Sequence, residues 1–419
     1  MKLISIGITL KLMQGFFAYL NIGFQSNTLT ISEFNYLSII GNSIILSVFL
    51  DLGVGVQFIQ NYFKQIKEKF VENEDKFALK YLAINLYVFM AIACIQATLI
   101  SIYASVYLLN EIGEVDLQII TTSFLVTFFF SFSALASRIL IARGYVAESV
   151  LFQTLGALIQ FLLTVYAYQV NLDLIAFMFT LAFPNIITAV ISLTFLRRKA
   201  TLVKFVSEEK YSQQIQNQPL KNISLKLQIL QLLQFVIGTL PILIFTSRIH
   251  EVGLLGILIQ WRIFSSVSAS MSSLNSIEWR ASALDQTHHQ YNLLRNDREL
   301  VKKIILAFGI SLPTIFIANF TWEYLANGNQ NTDSLTWLIW MFYVVGQVYQ
   351  WHYYYKLLSV SSYAQMILGT CIQLCTTIIC LLVFNPQFLG VFPFSILIGL
   401  ILSGFYMQIR STALLKIKE

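Results

Sequence analysis

Apolar stretches of about 20 residues alternate with short polar connections along the whole chain, and that length matches what an α-helix needs to cross a hydrocarbon core of about 30 Å. The pattern predicts spans at about Ile4 to Phe24, Tyr36 to Val56, Tyr81 to Leu108, Ile119 to Ile141, Val150 to Val170 and Leu174 to Phe195. A second set follows at about Leu227 to Ser247, Gly253 to Ile277, Ile304 to Trp322, Leu335 to Tyr355, Tyr363 to Phe384 and Leu389 to Met407. The first stretch is apolar after a single Lys and lacks a small-residue cleavage pattern, so it is read as a retained span. The expected fold class is an all-α integral membrane protein of twelve spans.

Charge placement tests that count, because cytoplasmic connections of membrane proteins carry the Lys and Arg. With an inside N-terminus, one side holds Lys64 to Lys80, Arg143, Arg197 through Lys226, Arg280 through Lys303, Lys356 and the tail from Arg410 to Lys418. The other side holds a single basic residue, Arg248. Both termini are therefore expected inside. The longest connection lies at the midpoint and divides the chain into an N-terminal six-helix half (1–196), a linker (197–226) and a C-terminal six-helix half (227–419). Leu10-Lys11-Leu12-Met13-Gln14 in span 1 lies on Leu230-Gln231-Leu232-Leu233-Gln234 in span 7, a weak trace of duplication.

Composition agrees: 57% of residues are hydrophobic and 11% charged, against roughly 25% charged in a soluble domain. The net charge of +6 resides in connections between spans, so it reports topology and not nucleic-acid binding. Cys94, Cys371, Cys375 and Cys380 fall inside spans, where cysteine acts as a small apolar residue. No phosphate-binding loop, no H-E-x-x-H and no close pair of intramembrane carboxylates occurs, which argues against ATP hydrolysis and zinc proteolysis, and the chain is expected not to be an enzyme. No cofactor or metal is expected, His288-His289 lies in a polar connection, and His250 and His352 stand alone in the sequence.

Ionisable groups at membrane depth are costly, so they are the residues to weigh. Arg262 falls near the middle of span 8 and is followed by a serine-rich run that includes Ser266, Ser270 and Ser273. The run suits a polar cavity wall, or small residues that allow close helix packing around a buried Arg. Lys11 enters a cavity or snorkels to the inner interface. Asp51 and Arg138, toward the inner ends of spans 2 and 4, suit gating, an ion pair or plain interfacial placement. Pro184, Pro241, Pro313 and Pro393 are each expected to kink a span, with Pro241, after Gly238-Thr239, the hinge candidate and static bending its alternative. Span 10 is rich in aromatics, from Trp337 and Trp340 to Tyr355, which fit either sugar stacking or an interfacial belt.

Ser32-Glu33-Phe34-Asn35-Tyr36-Leu37 at the start of span 2 and Asp51-Leu52-Gly53-Val54-Gly55 at its end resemble polysaccharide and O-antigen flippases of the multidrug, oligosaccharidyl-lipid and polysaccharide (MOP) exporter superfamily. Those proteins have an acidic-aromatic-glycine turn after span 1 and an Asp-Leu-Gly motif closing span 2. This chain has Asn35 where the glycine is usual, and Gln57 to Asn61 where an Arg is usual. The resemblance implies a flippase in the bacterial inner membrane that moves a polyprenyl-diphosphate-linked oligosaccharide to the outer leaflet by alternating access. Lys11 and Arg262 resemble the family's basic residues that meet the diphosphate, and the implied partners are the lipid-linked oligosaccharide, membrane lipids and polysaccharide polymerase machinery. The alternatives are multidrug efflux within the same superfamily and a membrane-embedded polysaccharide polymerase or ligase.

Overall fold

The computed structural model describes residues 2–46, 90–91, 93–102, 105, 117–143, 145–202, 225–246, 248, 257–258, 260–261, 263–265, 267–268, 271, 298–325, 334–359, 362–385 and 390–416. Regular structure among the described residues is helical throughout. The elements are α1 (Lys2–Thr28), α2 (Ile31–Leu46), α3 (Leu117–Arg143), α4 (Val146–Val170), α5 (Leu174–Leu202), α6 (Leu225–Thr246), α7 (Arg298–Leu325), α8 (Ser334–Ser359), α9 (Tyr363–Val383) and α10 (Val391–Lys416). Each overlaps one predicted span. The described residues of the other two predicted spans, 93–102 and those between 257 and 271, are helical as well.

Among the described residues, five helical segments are long and apolar enough to cross a membrane: Ala147–Val170, Leu174–Lys199, Leu225–Ile242, Tyr363–Val383 and Val391–Leu414. Their surroundings invert the soluble pattern. Phe316 is 78% exposed and Val383 73%, whereas Gln25, Ser123, Thr127, Gln350 and Ser403 are buried. Water would penalise so much exposed apolar surface, while lipid tails do not distinguish it from their own. The chain is a multi-pass membrane protein.

Helices outrun the apolar stretches that predicted them. Helix α1 has 27 residues. At the helical rise per residue it is about 40 Å long, so its ends reach the headgroup layer. Hydropathy marks the hydrocarbon boundary, but capping ends the helix. The N–H of Thr30 bonds the Glu33 carboxylate at 2.9 Å and the N–H of Glu33 reaches the Thr30 hydroxyl at 3.4 Å, a reciprocal capping box that starts α2. The expected turn at Ser32 to Leu37 is thereby corrected: these residues form the first turns of α2, and Asn35 is a buried helical residue with no need of glycine's freedom. Between α4 and α5, Asn171 takes a left-handed conformation (φ 54°, ψ 52°) that closes α4. The Asp173 carboxylate then accepts the Ala176 N–H at 3.0 Å to cap α5.

Packing follows one plan twice. In the first set α1 lies along α4, and α3 and α4 both lie along α5. In the second α6 lies along α9, and α8 and α9 both lie along α10. Counted as predicted spans, the pairs 1·5, 4·6 and 5·6 recur as 7·11, 10·12 and 11·12. Among the described residues, contacts between the sets run from α2 to α6 and from α1 to α7.

Glycines let the paired helices close. A Cβ on Gly156 of α4 would fall 2.5 Å from the Thr188 hydroxyl of α5, and one on Gly399 of α10 would fall 2.8 Å from the Gln373 carbonyl of α9. Aromatic packing fills the second set's core, where Trp340 of α8 stacks on Phe264 at 5.9 Å and meets Phe392 of α10 at 6.0 Å.

Proline acts differently by position. Helices α5, α6 and α7 continue through Pro184, Pro241 and Pro313. The expected kink at Pro393 is corrected: it is the third residue of α10, where the missing N–H has no helical partner to lose.

Candidate functional site

The structure concentrates long polar side chains on α8. Tyr343, Gln347, Trp351 and Tyr354 recur every three or four residues and so share one helix face. The Gln347 amide donates to the Tyr343 hydroxyl at 2.9 Å, and the Trp351 indole N–H reaches the Gln347 carbonyl oxygen at 3.4 Å. That same oxygen accepts a hydrogen bond from the Ser268 hydroxyl. Ser268 belongs to the serine-rich span 8, whose residues Gln260, Trp261, Phe264, Val267 and Ser268 are buried. These residues are enclosed by protein, and the buried Gln260 side-chain oxygen has no hydrogen-bond partner among the described residues. Next to the α8 face, the Tyr354 hydroxyl engages Gln234 of α6.

A neighbouring face of α8 binds the helices behind it. The Gln350 amide donates to the Gln373 carbonyl oxygen of α9 at 2.5 Å and to the Ser403 hydroxyl of α10 at 2.9 Å. The Tyr349 hydroxyl donates to Gln408 of α10 at 2.5 Å. These bonds hold α8 in register, which fixes where its first face points.

At the inner end by the expected topology, α7 and α8 bring together Lys303, His352 and Lys356, all three buried, with both lysines within electrostatic range of the imidazole. The Lys356 ammonium also lies 5.1 Å from the centre of the Tyr353 ring, a cation–π contact. Three expectations change here. Lys303 and Lys356 are enclosed helix residues, not solvated cations of a connection. His352 has a charged neighbour, Lys303 of α7, that sequence order conceals. Trp337, Trp340, Tyr343, Tyr353 and Tyr354 are buried and form no interfacial belt.

Of the residues predicted to form the site, Asp51, Arg262, Ser266, Ser270 and Ser273 lie outside the described residues, as do His288-His289. Lys11 lies on α1 and Arg138 on α3, with side chains outside the description. The backbone at Lys11 packs on α4: the Leu10 carbonyl accepts a hydrogen bond from the Thr154 hydroxyl at 3.2 Å, and the Gln14 amide reaches the Val150 carbonyl at 3.4 Å. Pro241 is a buried residue of an unbroken α6. Hydropathy does not single out the Gln347 and Gln350 cluster. Its signal is the helical spacing of polar groups inside an apolar span, obscured by the surrounding aromatics.

No family model matches the chain, and no curated protein does. Solved structures match along nearly its whole length. A MOP superfamily transporter from Pyrococcus furiosus, described as having a binding pocket of reverse polarity that suggests a different function, aligns with TM-score 0.67 at 12% identity over 99% of this chain and 95% of its own. An inward-facing multidrug-resistance MATE family transporter of the same superfamily aligns with TM-score 0.63 at 13% identity, covering 99% of this chain and 98% of that one. An outward-facing MATE structure aligns with TM-score 0.64 at 13% identity, covering 99% and 95%. The chain has the fold of these transporters.

Proposed function

We propose that this protein is a flippase that carries a polyprenyl-diphosphate-linked oligosaccharide, an O-antigen or capsule repeat unit, from the inner to the outer leaflet of a bacterial cytoplasmic membrane. In this reading it has twelve spans with both termini inside, and its halves, 1–196 and 227–419 joined by the linker 197–226, rock about a central cavity. The packing plan that recurs in the two helix sets supports such rigid-body movement. The observation that carries the proposal is the sign of the charge at depth: Lys11 and Arg262 are basic. Guanidinium and ammonium groups pair strongly with phosphate oxygens where water is scarce. Ser266, Ser270 and Ser273 would line the same wall, Asp51 and Arg138 would gate it, and Pro241 would let α6 flex.

Electrical energy favours the direction. An interior negative by about 100 mV drives each unit of negative charge outward by roughly 2.3 kcal/mol, so a diphosphate leaves downhill.

Efflux of cationic drugs, suggested by the MATE neighbours, is the second reading. It needs a carboxylate deep in the membrane for coupling and cation binding. Among the described side chains, the helix carboxylates Glu33 and Glu148 both lie in first turns, near the ends of α2 and α4. A polymerase or ligase is disfavoured by the transporter fold and by the short outer connections expected of this topology.

Complementation of a flippase-deficient strain making the matching polysaccharide tests the proposal. Wild type restores surface polymer, Arg262→Ala and Lys11→Ala lose it at equal membrane abundance, and Arg262→Lys retains part. Failure of well-expressed wild type sinks the flippase reading. Full activity of both alanine variants removes the cavity assignment.

A further inference from the structure

Helix α1 presents three faces. One meets α4 through Gln14, and through Phe17 and Phe24, whose rings lie 5.6 and 6.1 Å from that of Phe161. A second carries Met13 and Phe16, large apolar side chains that are exposed as lipid-facing residues are. The third holds Lys11, Gly15, Ile22 and Leu29, which follow one another at helical spacings of four and seven residues. Ile22 and Leu29, in the C-terminal half of that face, are buried. At Gly15 the face is open: an added Cβ would meet nothing within 4 Å. At Gly156, Gly346, Gly369, Gly399 and Gly404, by contrast, a Cβ would come within 3.0 Å of an atom of a neighbouring helix. Glycine weakens a helix relative to alanine, and close packing offsets that loss at those five positions but not at Gly15. Gly309 of α7 is open too, but it shares its face with the exposed Ile305, Leu312 and Phe316 and so looks into lipid. Gly15 shares its face with a lysine. A cation is costly in hydrocarbon, so such a face looks into protein or a wet space, and no protein atom stands close to Gly15.

We propose that Gly15 is the clearance through which the diphosphate head and first sugar of the cargo pass α1 beside Lys11, and that side-chain bulk at this position limits what the inner entry admits. By the expected topology the open N-terminal half of the face is the inner half, and Ile22 and Leu29 close the outer half, as entry from the inner leaflet requires. An ammonium pairs with phosphate oxygens only where the two can approach, and a residue without a side chain one helical turn away leaves room for the bulky group that the phosphate carries. The inference rests on the flippase reading and deepens it, since the functional feature is the absence of a side chain next to the cation.

The test has two arms, both on the full-length protein. In the complementation strain, at equal membrane abundance, Gly15→Ala is expected to lower surface polymer about twofold and Gly15→Leu about tenfold or more. Met13→Phe, which adds bulk to the lipid face instead, matches wild type. The melting temperature of Gly15→Leu in detergent stays at or above that of wild type, because no atom stands in its way and leucine is the better helix former. In phosphatidylcholine nanodiscs, the anionic thiol reagent methanethiosulfonate ethylsulfonate is expected to label Gly15→Cys about tenfold faster than Met13→Cys, since the reacting thiolate needs water. Wild type gives the background of the native cysteines. Full export by Gly15→Leu, equal loss in Met13→Phe, or equal labelling of the two cysteine variants overturns the proposal. If Gly15→Leu fails to fold, Gly15→Ala and the labelling rates decide. Wild type that restores no polymer while Gly15→Cys is labelled fast overturns the flippase reading and leaves the wet face standing.

Discussion

Equivalent helices of the two sets, α3 and α8, bury polar groups in different ways. On α3 the hydroxyls of Thr121, Thr122, Ser123, Thr127 and Ser131 each bond a carbonyl one turn back on their own helix, so most of its polarity is satisfied internally. Its ties outward include short hydroxyl pairs, Tyr36 to Ser123 at 2.9 Å and Ser137 to Ser149 at 2.7 Å. On α8, the helix with the equivalent packing role, amides and phenols reach across to span 8, α9 and α10. Arg138 lies in the next-to-last turn of α3 and Lys356 in the last turn of α8, so a basic residue falls at nearly the same level in both. The equivalent helices thus share their packing partners and differ in how they are held. Amides and phenols make the cross-helix bonds of α8, whereas hydroxyls and Gln153 make those of α3.

The largest effect is expected at the closest approaches. Gly399→Ala puts a methyl 2.8 Å from a backbone carbonyl that cannot turn aside. Its cost should approach the upper end of the roughly 1–3 kcal/mol typical of overpacking. Gly156→Ala meets chiefly the rotatable Thr188 hydroxyl and should cost less. Melting temperatures of the two variants in detergent check this, and equal losses would break the contrast.

Next comes the bracing itself. Gln350→Leu leaves the buried Gln373 and Ser403 oxygens without their donor. The loss should be about 1–3 kcal/mol. Ser131→Ala on α3 removes a hydroxyl that bonds a carbonyl of its own helix. That change should cost no more than about 0.5 kcal/mol. Chemical denaturation in mixed micelles measures both, and a costly Ser131→Ala would show that α3 is braced as α8 is.

A smaller effect belongs to the capping box. Glu33→Ala removes the carboxylate that the Thr30 N–H bonds. It should cost about 1 kcal/mol and raise hydrogen exchange at the start of α2, while Glu33→Gln keeps most of the bond. The subtlest test concerns Pro241. If α6 flexes there, Pro241→Ala lowers export in the complementation assay at unchanged abundance, whereas Pro184→Ala in α5 does not. Parallel behaviour of the two prolines would assign both to static bending.

Much of the fold is legible because lipid imposes a simple rule. A span must be apolar, about 20 residues long and helical, and these requirements are written in consecutive residues. Hence every labelled helix falls on a predicted stretch. Its ends are less legible, since the Thr30–Glu33 cap and the left-handed Asn171 depend on local hydrogen bonds that hydropathy ignores. The candidate site is legible only in part. Arg262 and Lys11 stand out as charges in apolar runs, but Lys303 and Lys356 read as ordinary inner-side cations.

The sequence by itself determined that the chain enters a membrane as a series of helices, and its basic connections set the expected orientation, because both depend on transfer energies of single segments. Tertiary structure decided which side chains meet. It put His352 of α8 within range of Lys303 of α7 and turned Gln350 toward Gln373 and Ser403. Helix-to-helix contact is a property of two surfaces and their rotation, and neither is encoded in one stretch of residues read alone.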